Sequence, residues 1–383
     1  MKSILFISHD ASRTGAPIVL LHFIRWFKQQ HPNVVIGVLL LRGGELEPEF
    51  SELASHIFNA QHISKPPKLW YRIIRKLKSK LGLSIKSRKV LFLEQIAQYH
   101  YDVIYANTII SIPFAAQLKS LRPSSKLLCH IHELKTVIDT ELPNLAFHAD
   151  AMDGCIAASH LVKSHLVNHF DIEPNLIDVV YEFSIVNPKI TQTSKPKNGF
   201  IVGASGSLNW RKGYDIFIQI AQLITKNHPD ANIEFVWVGG QKDSNVMKII
   251  RADLEKANLK DKVQFVGSTE TPEAYYKTFD VFIMPSREDP FPLVCIEAAM
   301  LMKPIICFEG ATGTAELLQQ GGGYIVPYLD IGAMCDKILF YFNNNDALKR
   351  DGQKAQSLFE NLTPQKMAPL IDKYITTLLI QGD

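Results

Sequence analysis

No hydrophobic run in the sequence approaches the ~20 residues a membrane-spanning helix takes; the longest, such as 34–41 and 304–308, stop far short. Cysteine is scarce and scattered. Cys129, Cys155, Cys295, Cys307 and Cys335 are odd in number and form no CxxC pair, which excludes a disulfide framework or a structural zinc site and fits a reducing cytosol. A strong charge bias is also missing. Lys+Arg is 41 against Asp+Glu 38, a formal charge of +3, too mild to point to nucleic acid. There is no GxGxxG, no Walker lysine, no Asp-x-Asp near a strand end and no short-period repeat. The opening MKSILFISHDASRTG has one lysine and a short apolar stretch, and reads as a first β-strand rather than a signal peptide.

What is present is an ordinary globular composition, 46% hydrophobic and 21% charged over 383 residues. At roughly 150 residues per domain that length gives two or three domains. Apolar β-rich runs recur at 3–8, 34–40, 102–105, 126–131, 153–157 and 177–182, then at 200–204, 233–238, 262–266, 280–284, 304–308 and 323–326. Most are continuous rather than alternating, as a parallel sheet covered on both faces requires. Amphipathic helices lie between them. Residues 17–30 place Leu20, Leu21, Ile24 and Phe27 on one stripe, and 214–227 do the same with Phe217, Ile220, Ala221 and Ile224. The expected fold class is α/β, with two Rossmann-like doubly wound parallel-sheet domains facing a central cleft. The polar stretch 186–199 reads as the linker between an N-terminal domain, 1–185, and a C-terminal domain, 200–360. A terminal helical segment, 361–383, follows.

Chemistry in such folds sits in the loops at strand carboxyl ends. After the first strand, Ser8 to Pro17 carries Gly15 and Ala16 ahead of a helix whose free amides could receive an anion. After strand 126–131 come His130, His132 and Glu133; alternation sends the two histidines to one face, but no third metal ligand is evident. In the second half, Gly203 to Gly213 joins a strand to a helix and combines Gly206 with the adjacent cations Arg211 and Lys212, a natural phosphate cradle. The most informative segment is Met284 to Ala299. Asp289 lies in a proline-rich turn, a helix begins near Leu293, and Glu297 interrupts the apolar run LVCIEAA. The amides near Phe291, Pro292, Leu293 and Val294 would face the same space. A pair of acids alone also suits glycoside hydrolysis, but the phosphate cradle favours transfer from a nucleotide sugar.

These pieces resemble the retaining glycosyltransferases of family 4, which have the GT-B architecture. The resemblance is carried by Gly15-Ala16, His132-Glu133, Arg211-Lys212-Gly213, Asp289-Pro-Phe-Pro-Leu-Val-Cys-Ile-Glu297, and Gly310-Ala-Thr-Gly313 followed by Glu316, in family order over nearly the whole length. The family's paired acids are usually both Glu; here the first is Asp289. Its Gly-Arg-Leu is here Gly206-Ser207-Leu208, and Arg211 is the candidate replacement for the missing arginine. The resemblance implies a nucleoside-diphosphate sugar donor. Glu297 would hold its ribose, while Arg211, Lys212 and the amides near Phe291 to Val294 would hold its diphosphate. Asp289 would contact the sugar and His132 would sit beside it. The Gly15 loop would close on phosphates and acceptor, and the terminal helix would cross back to the N-terminal domain. Asp289, His132, Arg211 and Lys212 are thus the expected catalytic group, with no metal and no cofactor. Two other readings stay open: a nucleotide-sugar epimerase of the same fold and a non-catalytic bilobal binding protein.

One stretch stands apart. No acid occurs between Glu52 and Glu94, while 65–89 holds ten basic residues, so the rest of the chain carries −7. Trp70, Ile73, Ile74, Leu77 and Leu81 recur among them at helical spacing, the layout of an interfacial helix on anionic lipid. The expectation is a cytoplasmic enzyme, peripheral on the inner face of the plasma membrane, that acts on a glycan or lipid-linked acceptor in cell-surface polysaccharide or glycolipid synthesis. RNA fits less well, since only Trp70 and Tyr71 offer stacking groups.

Overall fold

The computed structural model describes residues 1–64, 86–186 and 199–380. The linker residues 187–198 and the basic stretch from 65 to 85 lie outside the described residues. The chain divides into two compact units. The first comprises Met1–Ala157, Lys163–Val180 and Ala368–Asp383; the second comprises Ala158–Val162 and Tyr181–Met367.

The first unit holds a seven-stranded sheet in the order β3-β2-β1-β4-β5-β6-β7. Its strands are β1 (Ser3–Ser8), β2 (Val35–Leu40), β3 (His56–Asn59), β4 (Val103–Asn107), β5 (Lys126–Ile131), β6 (Gly154–Ala157) and β7 (Ile177–Val179), all paired in parallel. The helix Gly15–Gln30 buries Leu20, Leu21, Phe23, Ile24 and Phe27. Phe6 of β1 meets Phe23 edge-on at 5.9 Å and Tyr105 of β4 at 5.3 Å. Side chains of this size each contribute roughly 1.5–3 kcal/mol when buried, so this aromatic cluster fixes the helix on the sheet.

The second unit holds a six-stranded sheet in the order β10-β9-β8-β11-β12-β13. These are β8 (Phe200–Ser205), β9 (Ile233–Val238), β10 (Val263–Gly267), β11 (Val281–Met284), β12 (Ile305–Phe308) and β13 (Gly323–Val326), again parallel. The helix Tyr214–Asn227 covers it with Phe217, Ile220, Ala221 and Ile224; Phe217 meets Trp237 at 5.4 Å. The expected two Rossmann-like parallel-sheet domains are therefore present.

In each sheet the strand order reverses once, between β1 and β4 in the first and between β8 and β11 in the second. Loops leaving neighbouring strands at such a point run in opposite directions and open a crevice beyond the strand ends. The loops after β1 and β4 flank one switch point. The loops after β8 and β11 flank the other, and they carry Arg211-Lys212 and Asp289. Among the described residues no helix is long and apolar enough to cross a membrane.

Candidate functional site

The loop after β8 is built to present two cations. Asn209 accepts the Lys212 amide through its side chain at 3.1 Å and starts a single 3-10 turn, Trp210–Lys212. Gly213 ends the turn at φ 72, a left-handed conformation that a side chain resists, and a Cβ there would come within 2.0 Å of the Pro285 carbonyl oxygen. Glycine thus lets the β8 loop lie against the β11 loop. Arg287 stitches the two together: its main-chain N–H donates to the Arg211 carbonyl at 2.8 Å, and its guanidinium grips Asp215 at 2.9 and 2.7 Å. The same guanidinium lies 5.3 Å from the Trp210 ring.

Asp289 sits where these loops converge, 4% exposed. Its Oδ1 accepts from Arg211 Nη1 at 3.0 Å and its Oδ2 from Lys212 Nζ at 2.5 Å. The main chain around it is fixed as well, with the Asp289 N–H on the Ala311 carbonyl at 2.7 Å and the Gly313 N–H on the Pro290 carbonyl at 2.9 Å. Burial alone would raise the Asp289 pKa, but Lys212 and Arg211 outweigh it and hold the carboxyl below the usual range. Burial pulls the Lys212 ammonium below its ordinary value; Asp289 pulls it back and Arg211 adds to the lowering. Two cations share one anion, leaving a net positive centre beside a helix start. That helix, Leu293–Met300, has Pro292 at its N-cap; the Pro292 carbonyl takes the Cys295 N–H at 3.0 Å, and the amides ahead of it, in the first turn, have no carbonyl one turn earlier within the helix. Phe291 stacks on Tyr181 at 4.8 Å, which holds the turn before the helix. Gly206 lies against the Lys212 stem: a Cβ there would meet its methylenes at 3.1–3.2 Å.

Glu297 is placed differently. It lies beyond the first turn of the helix and accepts from the Ser184 hydroxyl at 3.0 Å. Burial raises its pKa to about 7, the Ser184 hydrogen bond partly offsets this, and Glu273 adds to the rise. It is therefore a carboxyl balanced between neutral and charged at physiological pH, whereas Asp289 is firmly ionised. Glu316 is a structural anchor: it accepts from the main-chain N–H groups of His160 at 3.2 Å and Leu161 at 2.8 Å, and from the Tyr181 hydroxyl at 2.8 Å.

The first unit brings its own candidates together. Gly15 opens the helix after β1 and is exposed; Ala16 offers its carbonyl to the Asn107 side chain at 3.1 Å. His132 Nε2 lies 2.8 Å from Asn107 Oδ1, and its ring tilts over that of His130 at 4.0 Å. His130 is buried and its Nδ1 meets the Tyr105 hydroxyl at 2.6 Å. Burial, reinforced by His132, keeps His130 well below the ordinary histidine pKa, so it is neutral. Glu133 faces the main chain, accepting from the N–H groups of His132 at 3.0 Å and Ile109 at 3.3 Å.

The candidates thus fall into two groups: Gly15, Ala16 and His132 in the first unit, and Gly206, Arg211, Lys212, Asp289, Phe291, Pro292, Leu293, Val294 and Glu297 in the second. Asn107, Ser184 and the Arg287–Asp215 clamp escaped the sequence reading. Asn107 was accessible in principle, as the residue ending a strand at a switch point; Ser184 carried no signal, because it lies in irregular chain far from Glu297 in sequence.

Comparison with known proteins follows the same geography. Residues 187–358 match the family model described as "Glycosyl transferases group 1", a span that contains the whole Arg211-Lys212-Asp289-Glu297 set. The chain is 28% identical over 236 residues to a poly(ribitol-phosphate) alpha-N-acetylglucosaminyltransferase of Staphylococcus aureus, covering 61% of this chain and 43% of that protein. It is 32% identical over 112 residues to the Escherichia coli O-antigen biosynthesis glycosyltransferase WclY, covering 29% of each. The chain spans about half or less of the length of the first curated relatives it matches. Among solved structures, Anabaena Alr3699/HepE in complex with UDP-glucose superposes with a TM-score of 0.78 at 18% identity, covering 98% of this chain and 100% of that one. The fold is that of GT-B glycosyltransferases.

Proposed function

We propose that the protein is a retaining glycosyltransferase of family 4 that moves a sugar from a nucleoside-diphosphate donor to a glycan or lipid-linked acceptor. The observation that carries this is the cation pair Arg211–Lys212, held on the buried Asp289 at a switch point beside the start of the helix Leu293–Met300. A departing diphosphate is the anion such a centre fits. Fixed cations and helix amides stabilise its growing charge without reorganising when the bond breaks. Asp289 preorganises both cations, so a donor finds them already aimed. Glu297, close to its titration point, would accept from the donor ribose when ionised. His132, on the first unit, would stand beside the transferred sugar.

Several features support the wider reading. Of the curated relatives named above, one is a poly(ribitol-phosphate) alpha-N-acetylglucosaminyltransferase and the other an O-antigen biosynthesis glycosyltransferase, and the HepE structure holds UDP-glucose. On that basis the product is a cell-surface polysaccharide or glycolipid, made without a metal at a cytoplasmic membrane face to which the basic stretch 65–89 attaches. The test is binding and turnover of UDP-, GDP- and ADP-sugars. A ligand at 100 times its Kd adds about 2.7 kcal/mol of stability, visible as a thermal shift. Release of nucleoside diphosphate on adding acceptor supports transfer. Binding of none of these donors, or loss of none of it in Lys212→Ala, sinks the proposal.

A further inference from the structure

Two aromatic rings stand half in solvent on loops at the carboxyl end of the second sheet: Trp210 is 53% exposed and Tyr328 50%. Both are held in place. Trp210 opens the 3-10 turn that Asn209 caps, and Arg287 fixes it twice. The Arg287 guanidinium lies 5.3 Å from the indole ring, and its Nη1 donates to the Trp210 carbonyl at 2.8 Å. Tyr328 stands in the turn 327–330 after β13, closed by the Asp330 N–H on the Pro327 carbonyl at 3.0 Å. Its ring meets the buried Phe308 edge-on at 6.2 Å. Leu329, 40% exposed, takes φ 61 in that turn, a left-handed conformation suited to glycine. Strain of this kind gathers where a turn is committed to presenting particular side chains.

Arg287 connects the two rings. Asp215 matches its charge through hydrogen bonds at 2.9 and 2.7 Å, and Tyr328 acts on it electrostatically. Burial raises the pKa of the Tyr328 hydroxyl, Glu288 raises it further and Arg287 opposes them, so an acid and a cation both stand near the phenol. Single exposed rings are ordinary; rings joined through one fixed guanidinium make a surface. Its chemistry selects the occupant. An anionic lipid headgroup would gain little from a guanidinium already matched by Asp215. The cores of protein interfaces are depleted of charged residues, whereas Arg287, Asp215 and Glu288 break up this patch. A saccharide suits both parts. Its C–H face can lie on the negative face of an aromatic ring, while its hydroxyls bond to carboxylate, guanidinium and phenol at the edges. Rings fixed in advance lose little freedom on binding. β8 and β13 stand three places apart in the sheet, about 14 Å at the usual spacing, which gives room for a chain of sugars. We propose that Trp210, Tyr328 and Arg287 form a platform for the saccharide chain of the acceptor. Trp210 directly precedes Arg211, and Glu288 directly precedes Asp289, so the platform borders the cation pair. Its acceptor role rests on the transferase reading; saccharide binding itself does not.

The experiment titrates the full-length protein with short neutral oligomers of glucose, mannose, galactose and N-acetylglucosamine, followed by tryptophan fluorescence and calorimetry. At least one should bind saturably. Trp210→Ala and Tyr328→Ala should each weaken it about tenfold, and Trp210→Phe, which keeps a ring, should weaken it less. A wild type that binds none of these oligomers overturns the proposal with no variant needing to fold, and so does binding that both alanine variants retain. Attachment to anionic vesicles, or self-association, that disappears in Trp210→Ala overturns it too, by assigning the patch to lipid or to a second copy. In transfer, acceptor KM should rise about tenfold in Tyr328→Ala while donor KM stays the same. If an oligomer binds at Trp210 and no UDP-, GDP- or ADP-sugar is turned over in its presence, the transferase reading fails and the platform stands. If transfer occurs and neither alanine variant moves acceptor KM, the platform fails and the transferase reading stands.

Discussion

Replacing Glu297 by Gln tests whether a carboxyl at this position is held partly neutral. In the folded protein burial lifts its pKa to about 7, from an ordinary value of 4.5. Between those values the folded state holds a proton that the unfolded chain has lost. Stability contributed by this group is therefore full below about pH 4.5 and lost as pH rises to about 7, at about 1.4 kcal/mol per pH unit. Over that window the loss approaches about 3 kcal/mol, less what the open edge of Glu297 recovers through solvent. For a unit of this size a change of 1 kcal/mol moves Tm by about 2–4 °C, so the effect is roughly 5–10 °C. Asp289 works in the opposite sense: its carboxyl lies below the ordinary range, so its contribution is present above that range and is lost on acidification. A single pH scan mixes the two. The assay is therefore a double difference: Tm of wild type and Glu297→Gln, each at pH 5 and pH 8. Glutamine keeps the size and an acceptor for Ser184 but cannot ionise. Wild type should lose several degrees more than the variant between pH 5 and pH 8. Equal losses would show that the carboxyl titrates as if in water and refute the argument.

Other consequences follow from the same geometry. If Glu297 binds ribose as a carboxylate, UDP affinity should rise from pH 6 to pH 8 in wild type, approaching tenfold per unit below pH 7, and stay flat in Glu297→Gln when followed by calorimetry. Arg211→Ala removes a charge-assisted bond of about 1.5–3 kcal/mol, so donor KM should rise ten- to a hundredfold; an unchanged KM excludes Arg211 from the phosphate site. Glu316→Gln should lower Tm by several degrees with little change in donor affinity, because its carboxylate serves two main-chain N–H groups and Tyr181. Chelation by EDTA should leave turnover unchanged if the cations and helix amides alone stabilise the leaving diphosphate.

The fold was legible because its signal is repeated. Most buried parallel strands are short runs of Ile, Val, Leu and Phe; eleven of the described strands coincide with such runs to within two residues at either end, and β7 stops three residues before its run does. The strand without such a run is β3, His56–Asn59, at the edge of the first sheet. An edge strand pairs on one side only and needs no continuous apolar run, so His-Ile-Phe-Asn did not stand out. In the site, the loops were readable but the partners were not. Arg211, Lys212 and Asp289 could be placed on neighbouring loops from sequence, yet nothing in the sequence told that the acid would be the counter-ion of both cations. That depends on β8 and β11 lying side by side, which is a property of strand order. The Ser184 bond to Glu297 is harder still, since 113 residues and no periodic pattern separate the two.

The role of Asp289 follows from charge and reach. The aspartate, fixed by its own N–H on the Ala311 carbonyl, sets one oxygen on each cation. Removing such a partner leaves two cations partly desolvated without an anion, at a cost of about 3–5 kcal/mol. The same removal should strengthen binding of a free diphosphate, which then has no competitor for Arg211 and Lys212. Asp289→Asn should accordingly melt earlier as the free protein, bind UDP more tightly, and turn over more slowly, because product held more firmly leaves later. Tighter UDP binding together with lower kcat is the combination to seek by calorimetry and steady-state assay. Weaker UDP binding would mean that Asp289 aims the cations more than it competes for them, and the preorganisation argument would then have to carry the whole effect.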